Sequence, residues 1–135
     1  VTGYRFGRSL KPFRRPLLWS MLWCAAVAGV VVLSLTPVPD LGELPAHSDK
    51  FEHFLAYGLL AAGAVQLYPR WRSLVVVGLA LVFMGIGLEY AQGALTKTRM
   101  MDRADALANT IGVIAGLAVQ LTPWRDALLR LDPRE

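Results

Sequence analysis

Four apolar runs organise this sequence, with short polar stretches between them. The first, residues 17–36, carries no charged side chain and is about as long as the roughly 20 residues a helix needs to cross a bilayer core. Arg14, Arg15 and Pro16 ahead of it resemble the start of a signal peptide. The run is too long for a signal-peptide core, and Thr36-Pro37-Val38-Pro39-Asp40 is a poor cleavage site. The pattern therefore predicts a retained helix, ended by Pro37 and Pro39. The second run, 49–68, follows a polar loop, with Ser48 placed to cap it and Pro69 to close it. The third, 74–95, is rich in Val, Leu and Gly, and the fourth, 102–121, stops at Thr122-Pro123. Short connections between such runs predict antiparallel neighbours. The expected fold is all-α: an integral membrane bundle of four transmembrane helices over 17–122, with the first and least polar helix at the periphery. A basic segment, 1–16, precedes it. The tail, 123–135, sets Leu128, Leu129 and Leu131 beside Arg125 and Arg130, which fits an interfacial helix and a frayed end equally well.

Composition agrees with a membrane chain. The 135 residues are 55% hydrophobic, more than an ordinary soluble domain, and too few for a second domain of any size. The net charge of +4 does not point to nucleic acid, because the basic residues flank apolar runs instead of forming a face with interleaved aromatics. Their distribution sets an orientation. Arg5, Arg8, Lys11, Arg14, Arg15, Arg70, Arg72, Arg125, Arg130 and Arg134 fall on one side of the expected bundle, and only Lys50, Lys97, Arg99 and Arg103 on the other. The positive-inside rule then places both termini in the cytoplasm. Cys24, the sole cysteine, lies within the first apolar run and reads as a small buried or lipid-facing hydrophobe.

The polar residues that interrupt the apolar runs carry the candidate chemistry. Asp49, His53 and Tyr57 are spaced four apart and share one face of the second helix. Glu89 and Gln92 lie a turn apart near the end of the third, and Asp102, Asp105 and Asn109 run down one face of the fourth. With the expected topology these ends share the outer leaflet. An ionisable group inside a span costs about 2.5–3.5 kcal/mol on insertion scales, so such groups persist where they pair or function. Glu89 is the costliest if unpaired, and Arg99 is its best partner, with His53 next. Tyr57, Gln92 and Asn109 read first as interhelical hydrogen-bonding residues, and Gly112-Val-Ile-Ala-Gly116 as a helix-packing motif.

These residue types restrict the chemistry. The carboxylates with His53 and His47 match no recognised zinc spacing, so no metal or other cofactor is expected. No activated Ser, Cys or Thr is evident, since Cys24 is mid-span and Ser48 is a cap. His53 with Glu89 or Asp105 has the groups for general acid–base catalysis. Lys50, Arg99 and Arg103 have the charge to hold an anionic lipid headgroup.

The ordered set Asp49-Lys50-x-x-His53-Phe54-x-x-Tyr57, Glu89-x-x-Gln92 and Arg99-x-x-x-x-x-Asp105-x-x-x-Asn109-Thr110-x-Gly112-x-x-x-Gly116 resembles the VanZ-like membrane protein family. The likeness covers about residues 48 to 118. The family is named for a protein associated with low-level resistance to the glycopeptide teicoplanin. The resemblance implies a multi-pass protein of the bacterial inner membrane with an envelope function on the outer face. It puts weight on Asp49, Lys50, His53, Tyr57, Glu89, Gln92, Arg99, Asp105 and Asn109 as binding residues. The expected function is recognition of an anionic or glycosylated envelope component, such as a membrane lipid or a cell-wall precursor. Two alternatives stay open: an enzyme acting on a lipid-linked substrate, with catalysis by His53, Glu89 or Asp105, and an accessory subunit of a larger membrane complex.

Overall fold

The computed structural model describes residues 10–36, 48–95 and 103–134. Their regular structure is helical: α1 (Pro16–Leu35), α2 (Ser48–Leu67), α3 (Trp71–Leu95) and α4 (Arg103–Leu117), then 3-10 turns at Ala118–Leu121 and Pro123–Asp126, and a short α5 (Ala127–Leu131). The helix expected over 102–121 thus tightens to 3-10 geometry after Leu117.

Among the described residues, three stretches are long and apolar enough to cross a membrane: Pro16–Leu35, Trp71–Gln92 and Arg103–Leu121. α2 is as long as α1 but less apolar, and its place in the bundle explains why. It packs chiefly on α4 and also touches α1, α3, both 3-10 turns and α5. A helix with one face packed against protein can carry there polar groups that would be costly against lipid. The core forms along it, with Tyr57, Leu60, Ala61, Leu81 and Val113 in one cluster and Ala64, Val65 and Leu74 in another. α1 is peripheral, as expected, and buries no residue. The indole of Trp23 holds it to α2 by donating to the Leu60 carbonyl at 2.9 Å. Met21, Val32, Leu59, Val76, Phe83 and Ile114 are each more than half exposed, an outward apolar face that suits lipid.

The α2–α4 contact depends on small residues. A Cβ at Gly116 would strike the carbonyl oxygen of Gly58 and come within 2.6 Å of the Ala61 methyl, and one at Gly112 would strike the carbonyl oxygen of Phe54. The GxxxG stripe therefore serves close backbone packing against Phe54, Gly58 and Ala61, as small residues do between membrane helices.

Both flanks of the chain meet at the other end of α2. Lys11 donates its backbone N–H to the Leu67 carbonyl at 2.9 Å, Arg14 donates to Asp132 at 3.0 Å and Arg134 to Pro12 at 3.0 Å. The Lys11 ammonium is buried, 2.9 Å from an Asp126 oxygen, and also donates to the Arg125 carbonyl. The Asp132 carboxylate accepts from the Arg15 N–H at 2.9 Å and from the Trp19 indole at 2.8 Å, a negative charge at the N-terminus of α1 where unsatisfied N–H groups favour it. Gln66 reaches from α2 to the tail, donating to the Trp124 carbonyl and accepting from the Leu128 N–H, both at 2.9 Å.

This clamp gives a pH prediction. The hydrogen bond from Lys11 holds the Asp126 carboxyl below its ordinary 3.8, against the opposing effect of desolvation and with help from the charges of Lys11, Arg125 and Arg130. A carboxyl lowered in the folded state contributes stability above its unfolded value and loses it as pH falls through the folded one. Tail docking should therefore be constant from neutrality to about pH 5 and loosen below about pH 4. Amide exchange over residues 123–134 measures this, and Asp126→Asn should flatten its pH dependence. An unchanged profile in that variant would remove the clamp as the cause.

Candidate functional site

His53 enters on the second turn of α2, Glu89 lies in the last two turns of α3, and Asp105 is in the first turn of α4. At ~1.5 Å per residue all three stand within about 10 Å of a helix end, inside one half of the bundle. That half is opposite the Lys11–Asp126 clamp.

The three side chains converge. His53 Nδ1 lies 3.0 Å from Asn109 Oδ1 and 4.0 Å from Glu89 Oε1, while Nε2 lies 3.8 Å from Asp105 Oδ2. A carbonyl oxygen only accepts, so the ring N–H at Nδ1 donates to the Asn109 amide. Donor atoms of His53, Glu89 and Asp105 all fall within 4.8 Å of one another. Glu89 is 3% exposed and Asn109 2%, so this polar cluster is enclosed by helices. Gly85 makes room for it, because a Cβ there would lie 2.9 Å from Asn109 Nδ2 and 3.3 Å from Tyr57 Cε1.

A cleft of about 160 Å³ between α1 and α2 reaches the cluster. Val30, Leu33 and Ala56 give it apolar walls, and Ser34, Glu52, His53 and Tyr57 give it polar ones. It is smaller than the 300–1,000 Å³ typical of drug-sized ligand sites, and fits an ion with its water or part of a headgroup.

The structure brings together His53, Tyr57, Glu89, Asp105 and Asn109 from the predicted set. Gln92 turns elsewhere: its amide donates to the Ser34 carbonyl at 2.8 Å and ties α3 to the end of α1, the interhelical role expected of it. Asn109 also bridges two helices, but through His53. Lys50 is half-buried at the start of α2, and Arg103 is exposed at the start of α4. Asp49 belongs to α2, and its side chain lies outside the described residues, as do His47, Lys97, Arg99 and Asp102. The expected Glu89–Arg99 pair falls with them. Sequence reasoning missed Ser34, Glu52 and Gly85. Glu52 precedes His53 in the sequence, but adjacent helical positions do not share a face, so nothing in the sequence signalled its place in the cleft.

Comparison of the chain with protein-family models, characterised proteins and solved structures finds no match.

Proposed function

We propose that this chain is a VanZ-like protein of the bacterial inner membrane that recognises an anionic or glycosylated envelope component in its outer leaflet. Four helices span the bilayer in this reading, with α2 as a less apolar span packed chiefly on α4 and both termini in the cytoplasm. Lys11, Arg14, Arg15, Arg70, Arg72, Arg125, Arg130 and Arg134 gather at the clamp end, which supports that orientation. One observation carries the functional reading: His53, Glu89, Asp105 and Asn109, from three helices, form a polar centre that a cleft between α1 and α2 reaches at His53. Polar groups so placed in a membrane bundle are costly, and recognition of a polar ligand gives a reason to keep them. Lys50 and Arg99 supply positive charge for a phosphate or carboxylate.

Alanine substitution of His53, Glu89 and Arg99 tests the reading. Each variant should accumulate as folded protein and lose the envelope phenotype of the parent, scored as growth under cell-wall and membrane stress. Folded variants with every phenotype intact would rule the pocket out.

The orientation of His53 by Asn109 favours a second reading, a membrane enzyme on a lipid-linked substrate with His53 or Glu89 moving a proton. Lipid mass spectrometry on deletion and overexpression strains separates the two. A changed lipid species favours the enzyme, and an unchanged profile favours recognition.

A further inference from the structure

We propose that His53, Glu89 and Asp105 form a binding site for a divalent metal cation, taking His53 Nε2 and one oxygen from each carboxylate as ligands. The site stands independently of the envelope ligand, and four observations carry it.

First, the donors converge. One donor atom from each of the three residues lies within 4.8 Å of the others, with His53 Nε2 3.8 Å from Asp105 Oδ2 and Nδ1 4.0 Å from Glu89 Oε1. Metal–ligand bonds of about 2.0–2.2 Å in a tetrahedral arrangement put neighbouring ligand atoms roughly 3.4 Å apart. Side-chain rotation has to shorten the longest of these separations by roughly 1.4 Å to close the set.

Second, the imidazole is prepared for it. Donation from Nδ1 to Asn109 Oδ1 keeps the proton of the neutral ring on Nδ1, which leaves the Nε2 lone pair facing Asp105. Metal-ligating histidines are oriented in this way, by a carbonyl or carboxylate on the nitrogen that does not bind metal. Gly85 preserves the space this amide needs.

Third, the charges balance. Glu89 and Asp105 also interact with neighbouring groups, and as metal ligands beside a neutral imidazole they bring two negative charges. A divalent cation matches them with a single ligand.

Fourth, the cleft lined by His53 supplies a path for the ion, and three protein ligands leave a coordination position for water or an anionic oxygen. The spacing of these residues along the chain matches no known metal motif because each comes from a different helix. One imidazole among carboxylates favours zinc, manganese, iron or cobalt over calcium and magnesium.

The competing account has the same side chains held only by basic groups at the helix ends. Full-length, tag-free protein in detergent, stripped with EDTA and dialysed, separates the two by titration with Zn²⁺ and Co²⁺. The expected result is one equivalent bound per chain, unaffected by millimolar Mg²⁺, with Co²⁺ giving an intense visible band unlike that of the aqueous ion. Glu89→Gln and Asp105→Asn should weaken Zn²⁺ by more than about tenfold, and Asn109→Ala, acting through His53, by about tenfold. Asp126→Asn, at the opposite end, should bind as the parent does. The Co²⁺ band is read on the unaltered protein, so the test survives variants that fail to fold. Substoichiometric binding by the parent, an aqua-like Co²⁺ spectrum, or unchanged affinity in folded Glu89→Gln would each overturn the site. No lipid is present in this titration, so its failure leaves the envelope reading untouched.

Discussion

Gly116→Val should be the most destabilising single substitution in the bundle. The new Cβ would be driven into the Gly58 carbonyl oxygen and to within 2.6 Å of the Ala61 methyl and 2.9 Å of the Ala62 nitrogen. Two of these obstacles are backbone atoms of the central helix, which cannot swing aside as a long side chain can. Overpacking a core costs typically 1–3 kcal/mol, and a clash against rigid backbone belongs at or above the upper end. With about 3 kcal/mol lost, the thermal midpoint of a chain this size falls by roughly 10 °C. Because α2 also carries His53, the same shift pulls the imidazole from Asp105 and Asn109, so site and stability should fail together. Gly87→Val is the control, since nothing lies within 4 Å of a Cβ at that position. It should leave the midpoint within a few degrees of the parent, by about 0.5 kcal/mol at most for a surface change. Tryptophan fluorescence during heating in detergent reads both. Equal midpoints for Gly116→Val and Gly87→Val would mean that α2 and α4 do not pack through this stripe.

The contrast between these glycines marks how far sequence reading reached. Hydropathy and prolines place the four long helices to within a few residues, because an apolar run marks each one and prolines close the first two. The small residues at 112 and 116 read correctly as a contact stripe, but their partner helix did not follow from them. Apolarity in a membrane chain says that a face is not water-exposed, and leaves open whether lipid or protein covers it. The central place of α2 was visible only indirectly, as its lower apolarity. The polar cluster was legible because charges inside apolar runs are conspicuous. Its members were not, since Gln92 shares a helix face with Glu89 yet bonds to Ser34 at the end of α1. The Lys11–Asp126 pair joins opposite ends of the chain, and no local pattern announces it.

A quadruple variant, His53→Leu, Glu89→Met, Asp105→Leu and Asn109→Ala, should abolish function while leaving the fold at least as stable as the parent. The two outcomes differ in sign for a physical reason. Breaking a buried ionic cluster by removing one member strands the others and is costly, about 3–5 kcal/mol for a fully buried pair. Replacing all members with apolar groups of similar volume removes the desolvation penalty together with the interactions, and is commonly neutral or stabilising by about 1–4 kcal/mol. Here His53 meets each of the other three, Asn109 at 3.0 Å, Asp105 at 3.8 Å and Glu89 at 4.0 Å, so the variant removes their mutual interactions together. Basic side chains near the helix ends can extend to the interface once their acidic partners are gone. Denaturant titration should therefore give an unfolding free energy equal to or above that of the parent, alongside complete loss of the envelope phenotype and of bound metal. Single Glu89→Ala should be less stable than the quadruple variant, although it removes fewer groups. If the cluster were only a structural lock, the order would invert: the quadruple variant would be the least stable of the series, and folded single variants would keep their phenotype. A polar centre that lowers stability and is nevertheless required has to be retained for what it binds.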